Sequence, residues 1–193
     1  RLADLLAQKA ANGVDVRLMF DSYGSLRTGR SYFESLAAHG VRVREFNPVR
    51  PWHKRFRWAL NQRTHRKLLI VDHEVAFIGG VNISRVYSSG SSGGRPATAQ
   101  AQCPWRDTHA RLRGPIVADL QTLFLEHWFE QGGTAIAAPR EATHQREPGP
   151  TWLALAAKAA GSRRNPLYRA LLAMLRKATQ RILITTAYFV PTR

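Results

Sequence analysis

Apolar residues in the first 46 positions alternate between two spacings. Leu2, Leu5, Leu6 and Ala10 recur at the three-to-four-residue interval of one helical face, and the pattern stops at Gly13, a natural helix terminator. VDVRLMF, from Val14 to Phe20, then alternates apolar and polar residues as a strand does. SYFESLAAHG (Ser31 to Gly40) repeats the helix-then-glycine pattern, and VRVREF (Val41 to Phe46) repeats the strand. Two such units in succession predict an α/β sheet with helical cover.

Further along, KLLIVD (Lys67 to Asp72) and VAFIGG (Val75 to Gly80) are short apolar runs rich in β-branched residues and predict two strands. The intervening Asp72-His73-Glu74 has turn chemistry. A Gly- and Ser-rich stretch from Ser88 to Pro104 is too polar to pack. Trp105 to Arg113 resumes as a strand, and Pro115 opens a helix whose Val117, Leu120, Phe124 and Trp128 share a face. A second irregular segment from Gly132 to Pro150 reads as a linker. TWLALAAKAAG (Thr151 to Gly161) fits either a helix or a strand, Asn165 to Thr179 predicts a helix, and RILITTAYFVP (Arg181 to Pro191) predicts an apolar strand.

Composition changes this picture at one point. Hydrophobic and charged contents of 44% and 22% are ordinary for a globular chain of 193 residues, but 29 Lys plus Arg against 13 Asp plus Glu leave a net charge of +16. The surplus points to an anionic partner, nucleic acid or an acidic membrane surface; the plainer alternative is a solvated basic surface. Cys103 is the single cysteine, which excludes an intramolecular disulfide and a cysteine-based zinc site. No run of eighteen apolar residues and no signal-peptide pattern occurs. Arg1 leads directly into a helical pattern, so a fragment of a longer protein, with any membrane anchor upstream, is expected.

The chemistry concentrates between Thr64 and Asn82. His65 and Lys67 are two residues apart, so a strand turns both to one face. Asn82 follows Gly79-Gly80, where two missing Cβ atoms let a ligand approach the backbone. An imidazole, an ammonium and a carboxamide with no acidic metal cage suit a phosphate ester, and neither a metal nor another cofactor is expected. Free imidazole, with a pKa of about 6.5, is substantially neutral at pH 7 and nucleophilic. Lys67 and Asn82 would hold the non-bridging oxygens as charge accumulates in the transition state.

The pattern His65-x-Lys67-x4-Asp72 followed by Gly79-Gly80-x-Asn82 resembles the HKD motif of the phospholipase D superfamily. The likeness extends over GVDVRLMFDSYGS, the helix and strand through Phe46, the motif (residues 64–86), and WRDTHARLRGPIV through Trp128, and is nearest the cardiolipin synthase branch. It implies a phospholipase D-like α/β/α sandwich, with a central mixed β-sheet flanked by helices, in which two halves face each other and each lends one motif. Only one motif is present; His53-Lys54 lacks the spacing. Residues 1–135 are therefore expected to be a first unit incomplete at its N-terminus, 136–164 a linker, and 165–193 the truncated start of a second unit.

The resemblance also implies a phosphohistidine at His65, and a second histidine from the other half as acid and base. It lists Asp72 with the motif, although Asp72 lies an odd number of residues from His65 and so faces away on a regular strand, which favours a structural role. Gly80 stands where many relatives carry Ser; the Gly-Gly form marks the cardiolipin synthase branch. Relatives place an acidic residue on the strand after the motif to orient the nucleophile, and Asp107 matches it; otherwise Asp107 is a surface residue paired with Arg106 or Arg111. Trp52, Lys54, Arg55, Phe56, Arg57 and Trp58 interleave aromatic and basic side chains, as at a lipid headgroup surface, a nucleic-acid groove or a buried aromatic core with a basic rim.

Function is therefore expected to be transfer of a phosphatidyl group, by way of His65, to a phosphatidylglycerol-like acceptor at the bacterial inner (cytoplasmic) membrane, with attachment either peripheral or through a segment not present here. Hydrolysis to phosphatidic acid, a nuclease of the same superfamily, and a non-catalytic basic membrane- or nucleic-acid-binding module are the alternatives. The expected partners are a phospholipid, an anionic membrane surface, and a second HKD half or a second copy of the chain.

Overall fold

A computed structural model describes residues 2–48, 63–83, 107–134, 151–157 and 165–185. The chain divides into two compact units, Arg1–Leu153 and Ala154–Arg193.

In the first unit, α1 (Leu2–Ala11) leads through Gly13 into β1 (Arg17–Asp21), and α2 (Arg30–Ala38) leads through Gly40 into β2 (Arg42–Phe46). Both glycines have positive φ, +83° and +88°, which a residue without Cβ adopts cheaply at a helix end. β1 and β2 are parallel and in register from Arg17↔Arg42 to Asp21↔Phe46, the pairing that a helical crossover permits. Phe20 and Phe33 stack at 3.7 Å, and Leu36, Val41 and Phe46 are buried.

β3 (Lys67–Val71), β4 (Val75–Gly79) and β5 (His109–Arg113) form a separate antiparallel sheet in that order. Asp72 and His73 join β3 to β4 with φ of 52° and 58°, two successive left-handed residues as in a type I′ hairpin turn. The Glu74 N–H donates to the Val71 carbonyl at 3.1 Å to close it. Period-2 alternation sends Leu68, Ile70, Ala76, Ile78 and Leu112 inward, against Ile116, Val117 and Leu120 of α3 (Ile116–Glu130).

α3 holds the two sheets to one another. Its first half fills the core under β3–β5, while its second half turns Trp128 and His127 toward β1 and β2. The Arg17 and Arg44 guanidinium groups lie 5.3 and 5.9 Å from the Trp128 ring centre, and Phe46 meets His127 edge to face at 5.8 Å.

In the second unit, α4 (Pro166–Lys177) starts at Asn165, whose side chain accepts the Tyr168 N–H at 3.0 Å, with Pro at the first helical position. Residues 151–157, where the pattern left helix and strand open, take neither form. The described part of the expected last strand, residues 181–185, has no strand partner among the described residues; an apolar run becomes a strand only where a ladder accepts it. Among the described residues the architecture is mixed α/β, with helices packed on sheets and no closed barrel.

Candidate functional site

The site begins in the four residues ahead of β3. Three ties hold the backbone there. The Thr64 N–H donates to Asp21 Oδ2 at 3.2 Å, so the last residue of β1 grips the residue before His65. Arg66, pointing to the opposite face, donates to His127 Nε2 on α3, while His127 Nδ1 faces Glu130 Oε2 at 2.9 Å. Lys67 Nζ donates to the His65 carbonyl at 2.8 Å. His65 itself is exposed, and its ring makes no hydrogen bond among the described residues. A backbone held on both sides thus presents a free imidazole.

Across the sheet, Lys67 pairs with Gly79, and Gly79 with His109. Directly opposed residues in an antiparallel ladder share a face, so Lys67 and His109 stand on either side of a position with no side chain. Gly80 serves a different neighbour. A Cβ placed there would lie 1.8 Å from Asp107 Oδ1 and 2.4 Å from its Cγ, so the Asp107 carboxylate occupies the space a side chain would take. The Gly80 N–H also donates to the Thr108 carbonyl at 3.1 Å. Any larger residue at position 80 must therefore displace Asp107.

Burial lowers the Lys67 pKa below the ordinary 10.5, because the desolvated ammonium is costly; the nearby Asp107 carboxylate acts in the opposite sense and raises it. For stability the sign is direct. A folded-state pKa below the unfolded value makes the charged lysine a cost at lower pH, and that cost is relieved as pH rises from the folded value toward 10.5. For anion binding the consequence is reversed, since the ammonium is lost earlier than from a free lysine. Replacing Asp107 by Asn removes the raising influence while keeping the shape that fits Gly80. The alkaline limb of phosphate binding should then move to lower pH in Asp107→Asn; a limb that stays in place would show that Asp107 does not act on Lys67.

Other residues singled out in the sequence fall in different places. Asp107 Oδ1 accepts the Thr108 N–H at 3.0 Å, and no hydrogen bond joins Asp107 to the His65 ring among the described residues. Asn82 is exposed, two residues beyond Gly80. Asp72 lies in the hairpin turn at the far end of β3, roughly 23 Å along the chain from His65 at about 3.3 Å per residue. The Trp52–Trp58 segment lies outside the described residues. Among the described residues no group of three His, Cys, Asp or Glu is placed to hold a metal ion.

Two residues near the site were not singled out. Asp21 also accepts the Gly24 N–H at 2.9 Å through Oδ1, and the same oxygen lies 4.0 Å from Arg63 Nη1. Nothing in the spacing of the sequence links position 21 to position 64. His109 was legible in principle, since it lies two residues from Asp107 and shares its face wherever the strand is regular.

Comparison with known proteins converges on one family. The family model described as "Cardiolipin synthase, PLD-like domain" matches residues 1–90. Cardiolipin synthase 2 of Bacillus cereus is 34% identical over 192 residues, 98% of this chain and 35% of that protein. Cardiolipin synthase A of Pseudomonas aeruginosa is 35% identical over 191 residues, 99% of this chain and 36% of that protein. Cardiolipin synthase A of Pseudomonas fluorescens is 42% identical over 129 residues, 67% of this chain and 25% of that protein. No solved structure matches. The chain spans about a third of the length of the first of these relatives.

Proposed function

Because the chain belongs to the phospholipase D superfamily, in its cardiolipin synthase branch, we propose that it carries one half of a phosphatidyltransferase site with His65 as the nucleophile. The observation that carries this reading is the exposed His65 imidazole just ahead of Lys67, whose ammonium reaches back to the His65 carbonyl. A ring nitrogen lone pair attacks phosphorus, and the bond from phosphorus to the leaving alcohol breaks, giving a phosphohistidine and an alkoxide. A proton reaches the alkoxide from a general acid, which we assign to a second HKD half or a second copy of the chain. The acceptor hydroxyl then attacks phosphorus, gives up its proton, and releases His65. Lys67 holds the non-bridging oxygens throughout, with Asn82 as a further donor, and gains most as charge builds in the five-coordinate state. Asp107 opposes the lowering of the Lys67 pKa by burial and fills the space over Gly80. Asp72 serves the turn.

Two features support an opposing partner and an anionic lipid. The outer face of the β3–β5 sheet leaves Leu69 and Val71 exposed, 55% and 42%, in rows that end at Arg111 and Arg113. An apolar strip with a basic edge, continuous with the site, is a surface meant to be covered. The net charge of +16 favours anionic phospholipid at a membrane surface. No helix among the described residues is long and apolar enough to cross a bilayer.

The test is to incubate the complete protein with phosphatidylglycerol vesicles and separate the products. Cardiolipin plus glycerol is expected. Phosphatidic acid would instead support hydrolysis, and vesicle binding without turnover would support a binding module.

A further inference from the structure

We propose that His109 is a second wall of the phosphate slot, its imidazole donating a hydrogen bond to a phosphoryl oxygen on the side opposite Lys67. This rests on the phosphoryl-transfer reading of the site. The ladder places Lys67, Gly79 and His109 in one row across three strands, with all three Cα–Cβ directions on the same outer face. The row is closely built: a Cβ on Gly79 would meet the His109 Cα at 2.7 Å, its ring Cγ at 2.9 Å and the Thr108 carbonyl at 2.2 Å. The root of the His109 ring therefore stands beside the glycine and, with the Thr108 carbonyl, takes the space that a side chain at position 79 would need.

The dimensions suit an anion. Two strand spacings separate the backbones of Lys67 and His109 by roughly 9.6 Å. Side chains rising from both backbones on the outer face can close charge-assisted hydrogen bonds of about 2.8 Å on a phosphate held above the row. The chemistry suits it also. His109 is exposed and its ring makes no hydrogen bond among the described residues, so an N–H is available whichever tautomer it adopts. Lys67 supplies charge from one wall, and His109 supplies a directed donor from the other. His65 stands two residues from Lys67, just ahead of β3, where the Lys67 ammonium reaches its carbonyl.

The experiment follows the histidine ring resonances of the full chain, by long-range proton–nitrogen correlation, during titration with inorganic phosphate. Resonances of His65 and His109 should move together along one saturation curve, while the buried His127 stays in place. His109→Ala should weaken phosphate binding about ten- to a hundredfold, the range one hydrogen bond to an anion supplies, and His109→Gln should recover part of the loss through its amide donor. Unchanged resonances for the other histidines in His109→Ala would show that the fold is intact. If phosphate moves His65 but leaves His109 still, or if His109→Ala binds phosphate as tightly as the parent, the second wall is wrong and the phosphoryl reading stands. If neither His65 nor His109 responds, the phosphoryl reading itself falls, and this inference falls with it.

Discussion

His65→Ala is expected to abolish phosphoenzyme formation and to lower turnover by at least about 10⁴-fold in the complete protein, because loss of the proposed covalent nucleophile leaves only binding and electrostatics to act on the substrate. The expectation is specific to the side chain. The neighbouring backbone is held by Asp21 at Thr64, by the Arg66–His127 contact and by Lys67 on the His65 carbonyl. None of these ties uses the His65 imidazole, which is exposed, so truncation should leave the unfolding midpoint close to that of the parent. Quench of the parent in neutral detergent after reaction with lipid radiolabelled at phosphorus should trap label on protein that later acid treatment releases; the variant should carry none. Label retained in His65→Ala would assign the nucleophile elsewhere.

Trp128→Ala should cost about 3–5 kcal/mol of folding stability, the largest effect expected of any single truncation in the described core. Trp128 is 1% exposed, stacks on Phe124 at 5.9 Å, and carries the guanidinium groups of Arg17 and Arg44. Its Nε1–H donates to the Thr134 carbonyl at 3.3 Å. The Arg17 side chain is only 6% exposed, so removing the ring strips a buried cation of its apolar cover as well as opening a cavity. Because Trp128 is where α3 meets β1 and β2, the loss should loosen the end of β1 where Asp21 holds Thr64, and activity should fall alongside stability. Chemical denaturation measures the first effect; a loss below about 1 kcal/mol would show that the α3 contact with β1 and β2 is not a mainstay of the fold.

The local elements of this protein were legible because each follows from a period. Leu2, Leu5 and Leu6 mark α1, the alternation in VDVRLMF marks β1, and Val117, Leu120, Phe124 and Trp128 mark the buried side of α3. The two-residue repeat of a strand led to the expectation that His65 and Lys67 share a face, although β3 begins only at Lys67, and the chemistry of Asp72-His73-Glu74 marked the turn where Asp72 lies. The strand read from Arg181 shows the limit of such patterns. An apolar β-branched run states a preference, but a partner strand must satisfy its backbone, and none pairs with it among the described residues.

What the sequence determined by itself was therefore the identity of the elements from α1 through α3, the family, and His65, Lys67 and Asn82 as candidates for phosphate chemistry. Tertiary structure decided which neighbours those residues have. Register between strands joined by long segments is not written in any local period. It is set by the side of β4 that meets α3 and by where two glycines admit Thr108, His109 and Asp107. That packing turned Asp107 toward Lys67, brought His109 over Gly79, and set Asp21 against the backbone beside His65. Contacts of this kind depend on steric fit between segments far apart in the chain, and only the folded backbone brings them within range.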